Sequence, residues 1–154
     1  MKIRKLQSKD FSQMCQLMLA LYSKWDRMDP MDKIDKQWFG SQKHHNYLKC
    51  LCKDKNMIIL VAEEDSKIVS YMSAEVFVRK PFLQKASELL EAYTLPEYRG
   101  RGIANKLLAN ILVWLKKKNV KWYTASTHSL DKDAIKFWEK RGFREFNKTF
   151  KKKL

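Results

Sequence analysis

Two rhythms of apolar residues alternate along the chain. Phe11, Met14, Cys15, Met18, Leu21, Tyr22 and Trp25 recur three or four positions apart, the spacing of one helix face, and Ser8 or Asp10 can cap that helix. A strand over residues 2–7 is expected before it. A second helical stretch is expected near 42–53, after the acidic segment DRMDPMDKIDKQWFG. The period then changes. MIILVAE (57–63) and IVSYMSAEVFV (68–78) are rich in β-formers and separated by EDSK, which predicts a hairpin; the basic loop RKPFLQK leads from it to another strand at 88–95. Helical spacing returns over 102–118, with Ile103, Leu107, Leu108, Ile111, Leu112 and Leu115 on one side. A strand at 121–127 comes next. Asp131 then caps a helix that buries Ala134, Ile135, Phe137 and Trp138, Gly142 stops it, and a last strand is expected at 143–150. The order β-α-α-β-β-β-α-β-α-β describes an α/β fold, a mixed sheet covered by helices.

Composition narrows the class. At 154 residues, 45% apolar, with four Gly and three Pro, the chain has the size and content of one domain, 1–154, around one core. No apolar run approaches the ~20 residues of a membrane span, and MKIRKLQSKDF is too polar for a signal peptide, so a cytoplasmic setting without membrane contact is expected. Cys15, Cys50 and Cys52 have neither zinc nor redox spacing and read as reduced, mostly buried thiols. His44 and His45 are adjacent, so they point to different faces of a helix; they read as surface residues, and no metal is expected.

Charge adds a constraint without resolving it. The 32 basic and 17 acidic residues give +15, which attracts nucleic acid, an acidic membrane face or phosphorylated small molecules alike. Lysines at 116–118 complement a helix C-terminus. The tail NKTFKKKL (147–154) is the other dense cluster, but no RNA-recognition, helix-turn-helix or zinc-finger pattern accompanies it, so a nucleic-acid-binding module is the weaker reading.

The junction YRGRGIANKLL (98–108) carries more chemistry. A strand ending at Leu95 and a helix starting near Gly102 aim free backbone N–H groups at one point, which attracts anions. Gly100 and Gly102 let the main chain approach a ligand, and Arg99 and Arg101 add charge and donors. A pyrophosphate fits. GRGIAN lacks the third glycine of a dinucleotide fingerprint and the GK[ST] ending of a Walker loop. On local grounds alone a plain helix N-terminus remains an equal alternative.

DKDAIKFWEKRGF (131–143) breaks the tie, because it resembles the GNAT-superfamily N-acetyltransferase pattern N-x-x-A-x-x-x-Y-x-K-x-G-F at Ala134, Lys140, Gly142 and Phe143. Arg99, Gly102 and Ala104 match the same family's [QR]-x-x-G-x-[GA] turn, and the two motifs stand in the family's order. The likeness is close over residues 57–143 and loose in the first third. It implies a mixed, mostly antiparallel sheet flanked by helices and split between two strands to admit acetyl-CoA. Ala92, Tyr93 and Thr94 would lend backbone groups to the pantetheine arm. Arg99, Gly100, Arg101, Gly102, Ile103, Ala104 and Asn105 would cradle the pyrophosphate. Asp131 and Trp138, at the family's Asn and Tyr positions, would lie beside the arm and its sulfur. Both are departures: Asp131 is also a natural N-cap, and Trp138 has no ionisable proton and also suits the core.

Acetyl transfer to an amine needs a neutral nitrogen, so something must accept a proton. Two carboxylates precede the turn, Glu91 and Glu88, and both positions serve as bases in family members; Glu91, nearer the expected thioester, is the first choice. Asp26, Asp29, Asp32 and Asp35 either recognise a cationic amine or serve as caps. The leading reading is an acetyl-CoA-dependent N-acetyltransferase for a small-molecule or protein amine, acting by direct attack in a ternary complex. A non-catalytic acyl-CoA sensor is the alternative that Trp138 suggests. Similar proteins often dimerise, which leaves a homodimer open.

Overall fold

The computed structural model describes all residues except Arg79 and Phe82, so the expected loop RKPFLQK lies partly outside the described residues. Five strands, β1 (Lys2–Lys5), β2 (Met57–Glu64), β3 (Lys67–Val78), β4 (Lys85–Thr94) and β5 (Trp122–Ala125), form one sheet in that order. The first three pairings are antiparallel and the fourth, β4 with β5, is parallel. The helices are α1 (Phe11–Met28), α2 (Gln42–Lys53), α3 (Ile103–Lys117) and α4 (Lys132–Glu139). Among the described residues, no helix is long and apolar enough to cross a membrane.

The apolar runs of β2 and β3 are continuous because these strands are covered on both faces. One face packs on α3, through Val69, Met72 and Ala74 against Leu107, Ile111 and Leu115. The other receives α1 and Leu48 of α2, with Ile59, Val61 and Tyr71 against Met14, Met18 and Leu21. Ile111 and Leu107 are fully buried, and truncating either to alanine costs about 2–5 kcal/mol. The hairpin expected at EDSK forms, with Asp65 and Ser66 both at positive φ, the conformation that tight two-residue hairpin turns require.

Several expectations change. Residues 143–154 contain no strand. Phe143 and Phe146 lie three apart, which would put them on opposite faces of a strand, and Phe146 and Phe150 are exposed. Asp10 does not cap α1 with its side chain. It makes a two-point ion pair with Arg4 (2.6 and 2.9 Å) and accepts from the Gln7 amide, and the guanidinium holds its carboxyl below the usual range. His44 is buried, not on the surface: it lies one turn before Leu48 on the inner face of α2 and stacks on Trp38 at 4.0 Å between centroids. Burial lowers its pKa to about 4. Of the cysteines only Cys15 is buried; Cys50 and Cys52, in the last turn of α2, are exposed. Ala134, Ile135, Phe137 and Trp138 are half-buried, because α4 lies at the rim of an open cleft.

Candidate active site

The sheet itself makes the cleft. β4 and β5 pair from Ala86↔Trp122 to Leu89↔Ala125 and then part, while β4 continues to Thr94 against β3. Its edge over residues 90–94 is therefore without a strand partner on the β5 side, and a cleft of about 520 Å³ opens there, within the usual size for small-molecule sites. Ala92, Tyr93 and Thr94 line it along β4, and Ala134, Phe137 and Trp138 line it from α4.

A β-bulge decides what faces where. In the β3–β4 register Ser73 pairs with Glu91 and Ala74 with Leu89, so Leu90 is an extra residue. Leu89 faces the α3 side, as strict alternation would require of residue 91 too. The extra residue turns Glu91 to the opposite face. There its Oε1 accepts a hydrogen bond from the Tyr22 phenol of α1 (2.5 Å) and its Oε2 one from Tyr71 of β3 (2.8 Å). Burial raises the carboxyl pKa of Glu91, and the two phenol donors oppose that rise by stabilising the anion. Burial also pushes the Tyr22 and Tyr71 hydroxyls up, so both stay protonated donors at neutral pH. Glu88 lies elsewhere: it is not part of the cleft lining, and its carboxylate accepts from Ser126 at 2.6 Å.

At the other end stands the N-terminus of α3. Gly100 and Gly102 have φ of 76° and 74°, a backbone that glycine alone adopts without penalty, and no side chain caps the helix. Gly102, Ile103, Ala104 and Asn105 line the cleft with the first-turn amides unclaimed by a cap. Arg99 is held by a bond from its Nε to the Thr94 carbonyl (3.0 Å). Arg101 donates to the Glu97 carbonyl (2.9 Å), lies over Tyr98, and does not line the cleft. Arg141, absent from the expected set, reaches back from the end of α4 to Asn105 and tethers the two helices. A diphosphate suits this end, where glycine-flanked amides with no cap meet a guanidinium.

Asp131 is the cap the sequence suggested: buried, it accepts from the Ala134 amide (3.1 Å). Its second oxygen accepts from Lys24 of α1 at 2.6 Å, a contact no motif announces. Trp138 both lines the cleft and packs on Phe143 (5.0 Å between centroids), so its core and cleft roles coincide. Asp26, Asp29 and Asp35 accept from the amides of Ile34, Met31 and Gln37, and Asp29 also pairs with Lys151. Neither these three nor Asp32 lines the cleft.

The GNAT acetyltransferase family model matches residues 12–143, most of the chain, and the protein belongs to that family. An uncharacterized N-acetyltransferase of Archaeoglobus fulgidus is 33% identical over 81 residues, covering 49% of this chain and 52% of that one. Another, from Methanocaldococcus jannaschii, is 25% identical over 114 residues, 73% of this chain and 50% of that one. The chain thus spans about half the length of the curated relatives it matches. Among solved structures, a tetramutant of the BH1408 protein of Bacillus halodurans superposes with a TM-score of 0.83 at 17% identity over the full length of both chains. An aminoglycoside N-acetyltransferase in complex with CoA superposes at 0.74 and 15% identity, covering 99% of this chain and 98% of that one. At such identities the likeness is one of fold.

Proposed function

We propose that the protein is an acetyl-CoA-dependent N-acetyltransferase acting on a primary amine of a small molecule or protein by direct attack in a ternary complex. The observation that carries this reading is the shape of one cleft. It has an uncapped, glycine-flanked helix start at one end, an unpartnered strand edge along its length and a partly buried carboxylate at the other end. Acetyl-CoA supplies the acetyl group as a thioester. The amides of Ile103, Ala104 and Asn105, with Arg99, hold the diphosphate, and the β4 edge at Ala92–Thr94 hydrogen-bonds the arm. Family membership and the CoA complex of a structural neighbour support this assignment.

Glu91 is the general base. A raised carboxyl pKa brings it closer to that of the ammonium it must deprotonate, and the two phenols keep it anionic and fixed in orientation. Burial of the carboxylate also selects for a cationic acceptor, because an incoming ammonium restores the charge balance lost to desolvation. Glu88, which accepts from Ser126 of the cleft wall but does not itself line the cleft, is the weaker candidate. The test is a thiol-release screen with acetyl-CoA against polyamines, aminoglycosides, amino acids and lysine or N-terminal peptides, with Glu91→Gln alongside. Turnover with at least one amine class that collapses in the variant is expected. CoA binding without turnover across the panel would instead fit an acyl-CoA sensor.

A further inference from the structure

The cleft is closed on its α1 side by Leu21, Lys24 and Trp25, three residues that share a helix face. Lys24 is the cation of that wall. The other cations lining the cleft, Arg99 and Arg141, are tied to the Thr94 carbonyl and to Asn105 at the α3 end. The Lys24 ammonium instead reaches across from α1 to Asp131 at the start of α4, with its side chain 31% exposed. Asp131 is its one hydrogen-bond partner among the described residues, and an ammonium has three donors, so two are not taken by protein groups there. The remaining acids of the lining, Glu91 and Asp133, make no ion pair with it. Of the phenols there, the Tyr71 hydroxyl is committed to Glu91, while the rings of Tyr93 and Tyr98 lie under Arg99 and Arg101, contacts that leave their hydroxyls available. Trp138, on the α4 wall, offers no acidic proton.

We propose that Lys24 is a catalytic residue, the cation that receives the negative charge of the departing thiolate. This rests on the acetyltransferase reading above. As the new nitrogen–carbon bond forms, the carbon–sulfur bond breaks and its electron pair goes to sulfur. The acceptor ammonium loses one proton to Glu91 before attack and a second as the new bond forms, Glu91 passing each to water, and the thiolate that leaves against the Lys24 ammonium takes one proton from water. The balance is an ammonium and a thioester giving an amide, a thiol and one proton to solvent, so the reaction needs no further reactant. Asp131 anchors the ammonium at the cleft while its other oxygen caps α4.

The test reads the ligand itself. CoA is bound to the wild type, Lys24→Met and Asp131→Asn, and the ultraviolet absorbance of its thiolate is followed against pH. A nearby cation lowers the pKa of the bound thiol by about one unit or more, so the thiol should titrate at higher pH on Lys24→Met than on the wild type. Asp131→Asn keeps a capping oxygen for α4 but removes the carboxylate that anchors the lysine, so its bound-thiol pKa and its kcat should fall between those of the wild type and Lys24→Met, and Lys24→Met should lose tenfold or more in kcat. Equal thiol pKa on wild type and Lys24→Met, with CoA bound to both, overturns the role of Lys24 alone. Equal losses in kcat from the two variants, without a thiol shift, would reduce the pair to a structural strut. Failure of the wild type to bind CoA overturns the acetyltransferase reading instead.

Discussion

The two ends of the cleft are built from different materials. At the α3 end the working groups are backbone amides, exposed by two glycines at positive φ and a helix without a cap. At the α1 end they are side chains, with Leu21, Lys24 and Trp25 in the cleft wall and Tyr22 bonded to Glu91, on a helix that also packs into the core. A site made of main chain needs particular residues at fixed offsets, so it leaves a motif. A site made of side chains on an amphipathic helix needs only suitable residues at i, i+3 and i+4, a pattern that ordinary packing also produces.

The largest effect belongs to the side-chain end. Glu91→Gln should lower kcat by about 10²- to 10⁴-fold while leaving acetyl-CoA affinity within a small factor, and the acid limb of the pH–rate profile should vanish with it. Steady-state kinetics in both substrates separates the two.

Next comes acid stability, through the aromatic group beneath that end. His44 stacks on Trp38 and touches Phe39, which packs on Tyr22. Its folded pKa, about 4, lies below the ordinary histidine value, so the unfolded chain binds the extra proton first. Its contribution is complete above about pH 6.5 and is lost as pH falls toward 4, by at most about 3 kcal/mol. Denaturant melts of wild type and His44→Phe across that window should show the wild type losing stability more steeply.

A smaller effect is expected at the main-chain end. At Gly102 an added Cβ would meet nothing within 4 Å, so the cost of Gly102→Val is conformational and not steric crowding. Holding a non-glycine residue left-handed costs about 1–2 kcal/mol, more when β-branched, so the acetyl-CoA KM should rise roughly tenfold with little change in amine KM. Tyr22→Phe should have the smallest effect. Removing one phenol donor takes away a bond that lowers the Glu91 pKa, so the acid limb should move up in pH by about one unit while the acetyl-CoA KM holds.

The same contrast explains what could be read from the chain. The helices at 42–53 and 103–117, the hairpin at 65–66 and the Asp131 cap follow from local periodicity, turn chemistry and cap preference. The glycine turn was legible because its conformation restricts residue type. The orientation of Glu91 was not, since it depends on a single extra residue, Leu90, that shifts register only when β3 and β4 pair. Lys24 and Asp131 are 107 positions apart, and Tyr22 and Glu91 are 69 apart, so neither contact has a local signature. His44 was misjudged because adjacency to His45 shows only that the two rings diverge, and not which one the fold buries. The strand expected at 143–150 failed on period, because Phe143 and Phe146, three apart, would fall on opposite faces of a strand.

The most direct measurement is a titration of the isotopically labelled protein with CoA, followed by amide chemical shifts. The largest changes should fall on the amides of Gly102, Ile103, Ala104 and Asn105, with a second set along Ala92–Thr94. Absence of binding, or shifts confined to the lysine-rich segments at 116–121 and 147–154, would contradict the assignment of this cleft.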